Sequence, residues 1–387
     1  NLGRPDIRGG QGMTVLSGAR LVTPDGVLDS GWLRVAGDTI AELGGGAPVR
    51  GSSELVELTG GWLIPGFIDL HVHGGGGHDV TDSIEAMAAA IEFHRRRGTT
   101  GTLVSLMAGD LDRMCAQLGW LVELASADRQ LAGAHLEGPF LAHARCGAQN
   151  QAHLQLPDRQ VLDKLIDAGQ GLLRTMTIAP ELPDALGLIS YLAEAGVVAA
   201  LGHTDASYDQ ALAGYAAGAT LTTHLFNAMP PMRHRQPGAA IAALQSSAAL
   251  EIINDGVHVH PAMVRLAAQH GADRLVLVTD AMSATGVGDG SYILGGLPVT
   301  VVEGQARSTE TGGLAGSTLT MDEAFRRAVR EVGLPIEVAV AASSTNPARV
   351  IGLADRCGSL LPGLAADLVL LDDDLRVQRV MVAGRWL

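Results

Sequence analysis

The chain is poor in cysteine, in charge and in basic side chains, and each shortage excludes something. Three cysteines among 387 residues, Cys115, Cys146 and Cys357, stand far apart. They form neither the close pairs of a thiolate metal site nor the dense framework of a small disulfide-stapled domain. A reducing compartment, the cytoplasm, is the expectation. Charged residues make up 18% with no long run of one sign, and 47% of the chain is hydrophobic, which argues for a packed core rather than disorder. Twenty-seven Lys and Arg face 41 Asp and Glu, a net charge of −14. That balance argues against nucleic acid as a partner, because binding there requires a basic surface to neutralise phosphates. An anionic substrate must instead meet a local cluster of positive groups. No apolar run reaches the roughly 20 residues that span a bilayer, so no membrane partner is expected. Residues 1–12 hold no apolar signal core, and Met13 is a candidate native start with an appended or loose arm before it. No G-x-G-x-x-G opens a helix after a strand, so a doubly wound nucleotide-binding sheet, the structural alternative, lacks its fingerprint.

What is present is a regular alternation. Residues 14–58 read as short strands separated by turn signals at Pro24-Asp25-Gly26 and Gly37-Asp38, and residues 367–387 read the same way. Neither end can bury much apolar surface alone. The expectation is one small β-sandwich domain built from both ends, residues 13–62 and 357–387, flanking a body of residues 63–356. Within that body, β-like runs at 63–71, 100–107, 131–137, 173–179, 197–203, 220–224, 250–254 and 274–280 alternate with helical patterns such as 84–96, 111–125 and 208–216. Near-continuous apolar strands buried on both faces pair in parallel. Eight such βα units imply an α/β fold closed as a (β/α)8 TIM-like barrel.

The polar residues fall at the ends of those runs. His71 and His73 close the first, Glu137 the third, His203 the fifth, His224 the sixth and Asp280 the eighth. Strand C-termini of such a barrel converge on one mouth. Residues i and i+2 of a strand share a face, so His71 and His73 can both point inward and hold one ion. Imidazole and carboxylate donors without thiolate suit zinc or iron, and less often manganese, cobalt or nickel. Glu137 could bridge two ions, leaving His203 and His224 for the second. A single histidine at a strand end is more often structural, but the joint pattern points to a divalent metal centre of one or two ions. A bound divalent ion acidifies its water to a pKa near 7, and Asp280 is the candidate base that takes that proton. Its bland alternative is to cap a following helix, a role Ser283 could also fill. Arg233, His234 and Arg235 form a basic cluster framed by Pro230-Pro231 and Pro237-Gly238, and a bidentate arginine there suits a phosphate dianion. The run Gly74 to Gly77 is consistent with close backbone approach to the site or with a flexible loop.

The motifs also carry a resemblance. Residues 65–74, PGFIDLHVHG, resemble the opening strand of the amidohydrolase superfamily. HLEGPF at 135–140, LGHTDA at 201–206, THLFNAM at 223–229, DGVHV at 255–259 and VTDAM at 278–282 resemble the N-acetylglucosamine-6-phosphate deacetylase family within it. That resemblance implies deacetylation of N-acetylglucosamine 6-phosphate by a homodimer. It implies that Glu137, His203 and His224 hold a metal common to the family. His71 and His73 add the second, which some members lack. Substrate contacts are implied at Ala148, Asn227, Ala228 and His258, at Leu314, Ala315 and Gly316 of a closing loop, and at Arg235 for phosphate, in its own or the partner subunit's site. His258 would hydrogen-bond the acetyl carbonyl or a sugar hydroxyl. Gln149 stands where the family pattern has a histidine, and Cys146 lies in the same loop. The alternatives are another amidohydrolase acting on a different amide and a catalytically dead barrel serving as a scaffold.

Overall fold

The structure, a computed structural model, describes residues 13–48, 54–128 and 130–387. The expected N-terminal arm, residues 1–12, lies outside the described residues. Eight parallel strands form the central sheet: Phe67–Val72, Thr99–Met107, Leu131–Glu137, Leu173–Ile178, Val198–Leu201, Leu221–Thr222, Ala249–Ile253 and Leu275–Val278, each paired with the next. Closure comes from the backbone, where His73 N–H donates to Ala281 at 2.8 Å and Asp280 N–H donates to His71 at 2.8 Å. Every residue of the first and third strands is buried, as expected of strands covered on both faces. The outer helices include Ile84–Arg95, Leu111–Ala127 and Tyr208–Ala216, close to the ranges read from sequence. Their starts carry side-chain caps: Ser83 accepts from Ala86 N–H, Asp110 from Asp112 and Arg113, and Ser207 forms a capping box with Gln210. Among the described residues no helix is long and apolar enough to cross a membrane.

The chain ends share a second sheet. Met13–Thr23, Gly26–Ala36 and Thr39–Gly45 pair as an antiparallel meander, and Leu368–Leu371, Val377–Val382 and Arg385–Trp386 pair as another. The two are stitched by Trp62–Pro65, parallel to the first strand and antiparallel to Leu368–Leu371. The sheet folds over until its far sides touch, with Ile40 N–H donating to Leu364 and Ala366 N–H to Asp38, both at 2.8 Å. Leu16, Leu33, Ile40, Leu63, Leu360 and Leu368 form its enclosed core. This is the small β-sandwich contributed by both ends.

Two departures from the sequence reading have physical causes. The run 63–71 is not one strand. It breaks at Gly66, whose amide bonds Asp367 and where a Cβ would collide with the Thr100 side chain, so Trp62–Pro65 serves the small sheet and Phe67–Val72 the barrel. The second departure is an unexpected antiparallel meander, Gly290–Leu294, Leu297–Val302 and Gln305–Ser308, inserted after the eighth barrel strand. Its Leu294, Val299 and Val301 pack with Met107, Met282 and Ala315 over the barrel mouth.

Candidate metal centre and active site

Six buried side chains, four of histidine and two carboxylates, converge at the C-terminal rim. Their donor atoms form two groups, Glu137 with His203 and His224, and His71 with His73 and Asp280. Glu137 Oε1 lies 3.1 Å from both His203 Nε2 and His224 Nε2, and those nitrogens are 3.1 Å apart. His71 Nε2 lies 3.0 Å from His73 Nε2 and 3.3 Å from Glu137 Oε1. Asp280 Oδ1 is 3.3 Å from His73 Nε2 and 3.6 Å from His71 Nε2. His203, His224 and Asp280 all adopt positive φ, at 46°, 25° and 50°. Such backbone is strained for residues with a Cβ and is held here by the surrounding hydrogen bonds.

The donor chemistry fits a cation. His73 Nδ1 can only donate to the Ser105 carbonyl at 3.1 Å, and His203 Nδ1 to the Arg145 carbonyl at 2.8 Å. In the neutral ring, the form that binds a metal, the lone pair then lies on Nε2, the atom aimed into the cluster. Lone pairs and carboxylate oxygens packed this closely repel unless positive charge lies among them. The titration behaviour follows the same logic. Burial would depress His73, yet Asp280 and Glu137 hold its pKa up at about 9. Burial would raise Glu137, yet His71 and His203 keep it well below the usual carboxylate range. Burial would likewise raise Asp280, and His71 and His73 bring it below its ordinary value.

A layer of polar groups beneath the ligands fixes them. Asp69 is buried and accepts from Thr279 Oγ1 at 2.6 Å, from Thr279 N–H at 3.2 Å and from His71 N–H at 3.2 Å, tying the first strand to the eighth. Burial pushes its pKa up to about 7 against those bonds. His135 bonds Ser105 Oγ at 2.9 Å and Thr177 Oγ1 at 2.8 Å, and its ring lies 4.5 Å edge-on from His71. Glu251 accepts from His224 N–H at 3.3 Å and lies 3.6 Å from His71 Nδ1.

A model of the amidohydrolase family matches residues 62–387. The chain belongs to the amidohydrolase family. It is 36% identical to the N-acetylglucosamine-6-phosphate deacetylase of Lysinibacillus sphaericus, over 89% of this chain and 90% of that one. It is 37% identical to the N-acetylgalactosamine-6-phosphate deacetylase of Escherichia coli O157:H7, over 96% and 98%. Among solved structures it resembles a mutant N-acetyl-D-glucosamine-6-phosphate deacetylase from Mycobacterium smegmatis in complex with N-acetyl-D-glucosamine-6-phosphate. There the TM-score is 0.93 at 42% identity, covering 97% of this chain and 99% of the other.

In this amidohydrolase the two donor groups open into a cavity of about 270 Å³. Ala148, Asn227, Ala228, His258, Leu314 and Gly316 line it beside the ligands, as do Met107, Gln149, Leu294 and Gly313. Ala315 is buried behind the wall, its N–H bonded to Ala306. Arg235 is not brought to the cavity of its own chain. The turn from Met232 to Gln236 is exposed, closed by reciprocal 3.1 Å bonds between Arg233 and Gln236, and it lines a separate groove with Arg145 and Tyr208. The capping alternative for Asp280 fails because no helix starts there; the next long one is Met321–Arg330. His258 Nδ1 donates to Asp255 Oδ2 at 2.7 Å. Burial would lower its pKa, but Asp255 outweighs burial and raises it above the ordinary imidazole value. Sequence reasoning missed Asp69, His135 and Asp255 as supports. The first two share strand faces with His71 and Glu137 at a two-residue spacing, which was a usable signal.

Proposed function

We propose that this cavity hydrolyses the N-acetyl amide of N-acetyl-D-glucosamine 6-phosphate to D-glucosamine 6-phosphate and acetate. The observation that carries this reading is the convergence of both donor groups, Asp280 and His258 on one small cavity. Its size suits a small metabolite rather than a polymer. A divalent ion held by Glu137, His203 and His224, with a second at His71 and His73, would polarise the acetyl carbonyl and acidify the attacking water; zinc suits these donors best, iron next. Asp280, ionised at neutral pH, takes the proton of the attacking water and passes it to the departing sugar nitrogen. His258, whose protonated form is favoured by its pairing with Asp255, would donate from Nε2 to the oxygen on which charge develops, a contribution typically about 3 kcal/mol. Ala148, Asn227, Ala228, Leu314 and Gly316 hold the sugar, with Ala315 supporting the loop from behind. Arg235 serves phosphate from a second copy of the chain across a homodimer interface, since its own cavity lies out of reach. The enzyme acts in the cytoplasm, in amino-sugar and cell-wall recycling metabolism.

The test is turnover of four substrates: N-acetylglucosamine 6-phosphate, its galacto epimer, unphosphorylated N-acetylglucosamine and a cyclic amide. The first is expected to show the highest kcat/KM. Equal efficiency on the unphosphorylated sugar would remove the phosphate from the reading. Preference for the galacto epimer would move the assignment to the sugar named for the Escherichia coli relative. Turnover of the cyclic amide alone would move it to a different amide, and no turnover by metal-loaded protein would favour a scaffold.

A further inference from the structure

We infer that Gln149 is a positioning residue that makes the two metal sites unequal, reserving Glu137 for the ion held with His203 and His224. The inference rests on the metal-centre reading above and adds to it a role for one side chain. Gln149 is 3% exposed. Its Oε1 accepts the Ala108 N–H at 2.9 Å. A backbone amide can only donate, so the orientation of the Gln149 side chain is fixed and its NH₂ faces the centre. That NH₂ donates to Glu137 Oε2 at 2.6 Å. The two oxygens of Glu137 are therefore not equivalent. Oε1 lies nearest His203 and His224, at 3.1 Å from each, and 3.3 Å from His71 Nε2. Oε2, which lies 3.4 Å from His73 Nε2, is already engaged by the amide. An oxygen that accepts a short, charge-assisted hydrogen bond gives less of its charge to a metal.

The segment that carries Gln149 reinforces the asymmetry. Three residues earlier than Ala148, the Arg145 carbonyl fixes the tautomer of His203. Between them Gly147 passes so close that a Cβ there would lie 3.1 Å from His203 Cε1. Residues 145–149 thus orient two of the three side chains of one triad. The described contacts of the same segment with His71, His73 and Asp280 include no hydrogen bond. The Glu137 triad is held ready, and the His71 triad must share with it the one Glu137 oxygen that the amide leaves free.

The experiment is calorimetric titration of Zn²⁺ into chelator-stripped protein, with Gln149→Met placed in two backgrounds. His73→Ala leaves the Glu137 triad, and His203→Ala leaves the His71 triad with its neighbouring carboxylates. In the first background Gln149→Met is expected to weaken binding tenfold to a hundredfold, the range typical of lost second-layer support. In the second it is expected to leave affinity within twofold or to raise it, because Oε2 is released. Unchanged affinity in the His73→Ala background would overturn the inference. So would equal losses in both backgrounds, which would make Gln149 a general support of the rim. Circular dichroism checks folding, and Gln149→Asn, which keeps an amide one methylene short, replaces the Met variant if that fails to fold. Absence of Zn²⁺ uptake by the unsubstituted protein would instead overturn the metal-centre reading itself.

Discussion

Replacing Asp280 by asparagine separates proton transfer from scaffolding at one atom. The backbone of Asp280 is clamped on both sides: its N–H donates to His71 at 2.8 Å and its carbonyl accepts from Ser317 at 2.7 Å. Those bonds, not the carboxylate, hold its positive-φ geometry, so an isosteric amide should sit in the same place. What changes is basicity. A positioned general base contributes typically 10²- to 10⁴-fold, which is about 3 to 5 kcal/mol of barrier. The Glu137 triad does not include Asp280, so an ion held there should remain. The assay is kcat on N-acetylglucosamine 6-phosphate by release of the primary amine, with metal content measured on the same samples by elemental analysis. The expected outcome is a fall in kcat of at least a hundredfold with metal retained at the Glu137 triad. A loss under tenfold with metal intact would refute the base assignment, and loss of all metal would recast Asp280 as chiefly a ligand.

Three further outcomes follow from the same geometry. Arg235→Ala should raise KM for the phosphorylated sugar by roughly ten- to a hundredfold, the worth of one charge-assisted contact at 1.5–3 kcal/mol, while kcat changes little; a fall in kcat alone would place Arg235 at the chemistry. Asp255→Asn acts on the pH profile. Because Asp255 holds the pKa of His258 above the ordinary value, the protonated form persists on the acid side of that raised value and is lost as pH rises through it. Removing the carboxylate should therefore move the basic limb of kcat/KM to lower pH, and an unmoved limb would detach His258 from the reaction. Asp69→Ala takes the acceptor from His71 N–H and Thr279 N–H in a buried position, at about 1–3 kcal/mol for each donor left unsatisfied. Urea unfolding should show the midpoint fall, with partial recovery in Asp69→Asn, whereas an unchanged midpoint would mean the strand closure does not depend on Asp69.

Much of this was legible in the sequence for a definite reason. Barrel strands are buried on both faces, so they stand out as apolar runs, and a polar residue at the end of such a run is conspicuous. His71, Glu137, His203, His224 and Asp280 stand out in that way. The meander at 290–308 carries strand and turn signals of its own, with Gly295-Gly296 and Glu303-Gly304 at its two reversals, but it falls outside the βα rhythm, so that alternation does not mark it. The break at Gly66 was hidden because Pro65 and Phe67 continue one apolar run while serving different sheets. The bond from Gln149 to Glu137 spans 12 residues and a strand-to-loop reversal, and no local pattern encodes it. Arg235 shows the opposite limit. Its basic character is readable, but nothing local in the sequence tells that its turn lines a groove separate from the cavity.

On the proposed function, side chains from separate strand ends share a cation that makes water reactive. The most direct measurement is anomalous X-ray diffraction at the zinc edge from crystals of zinc-loaded Asp280→Asn protein soaked with N-acetylglucosamine 6-phosphate. A strong peak is expected among Glu137, His203 and His224, with the acetyl group beside it and a weaker or absent second peak at His71 and His73. No peak at the Glu137 triad, or a sugar bound with its acetyl group turned away from it, would contradict metal-assisted hydrolysis at this rim.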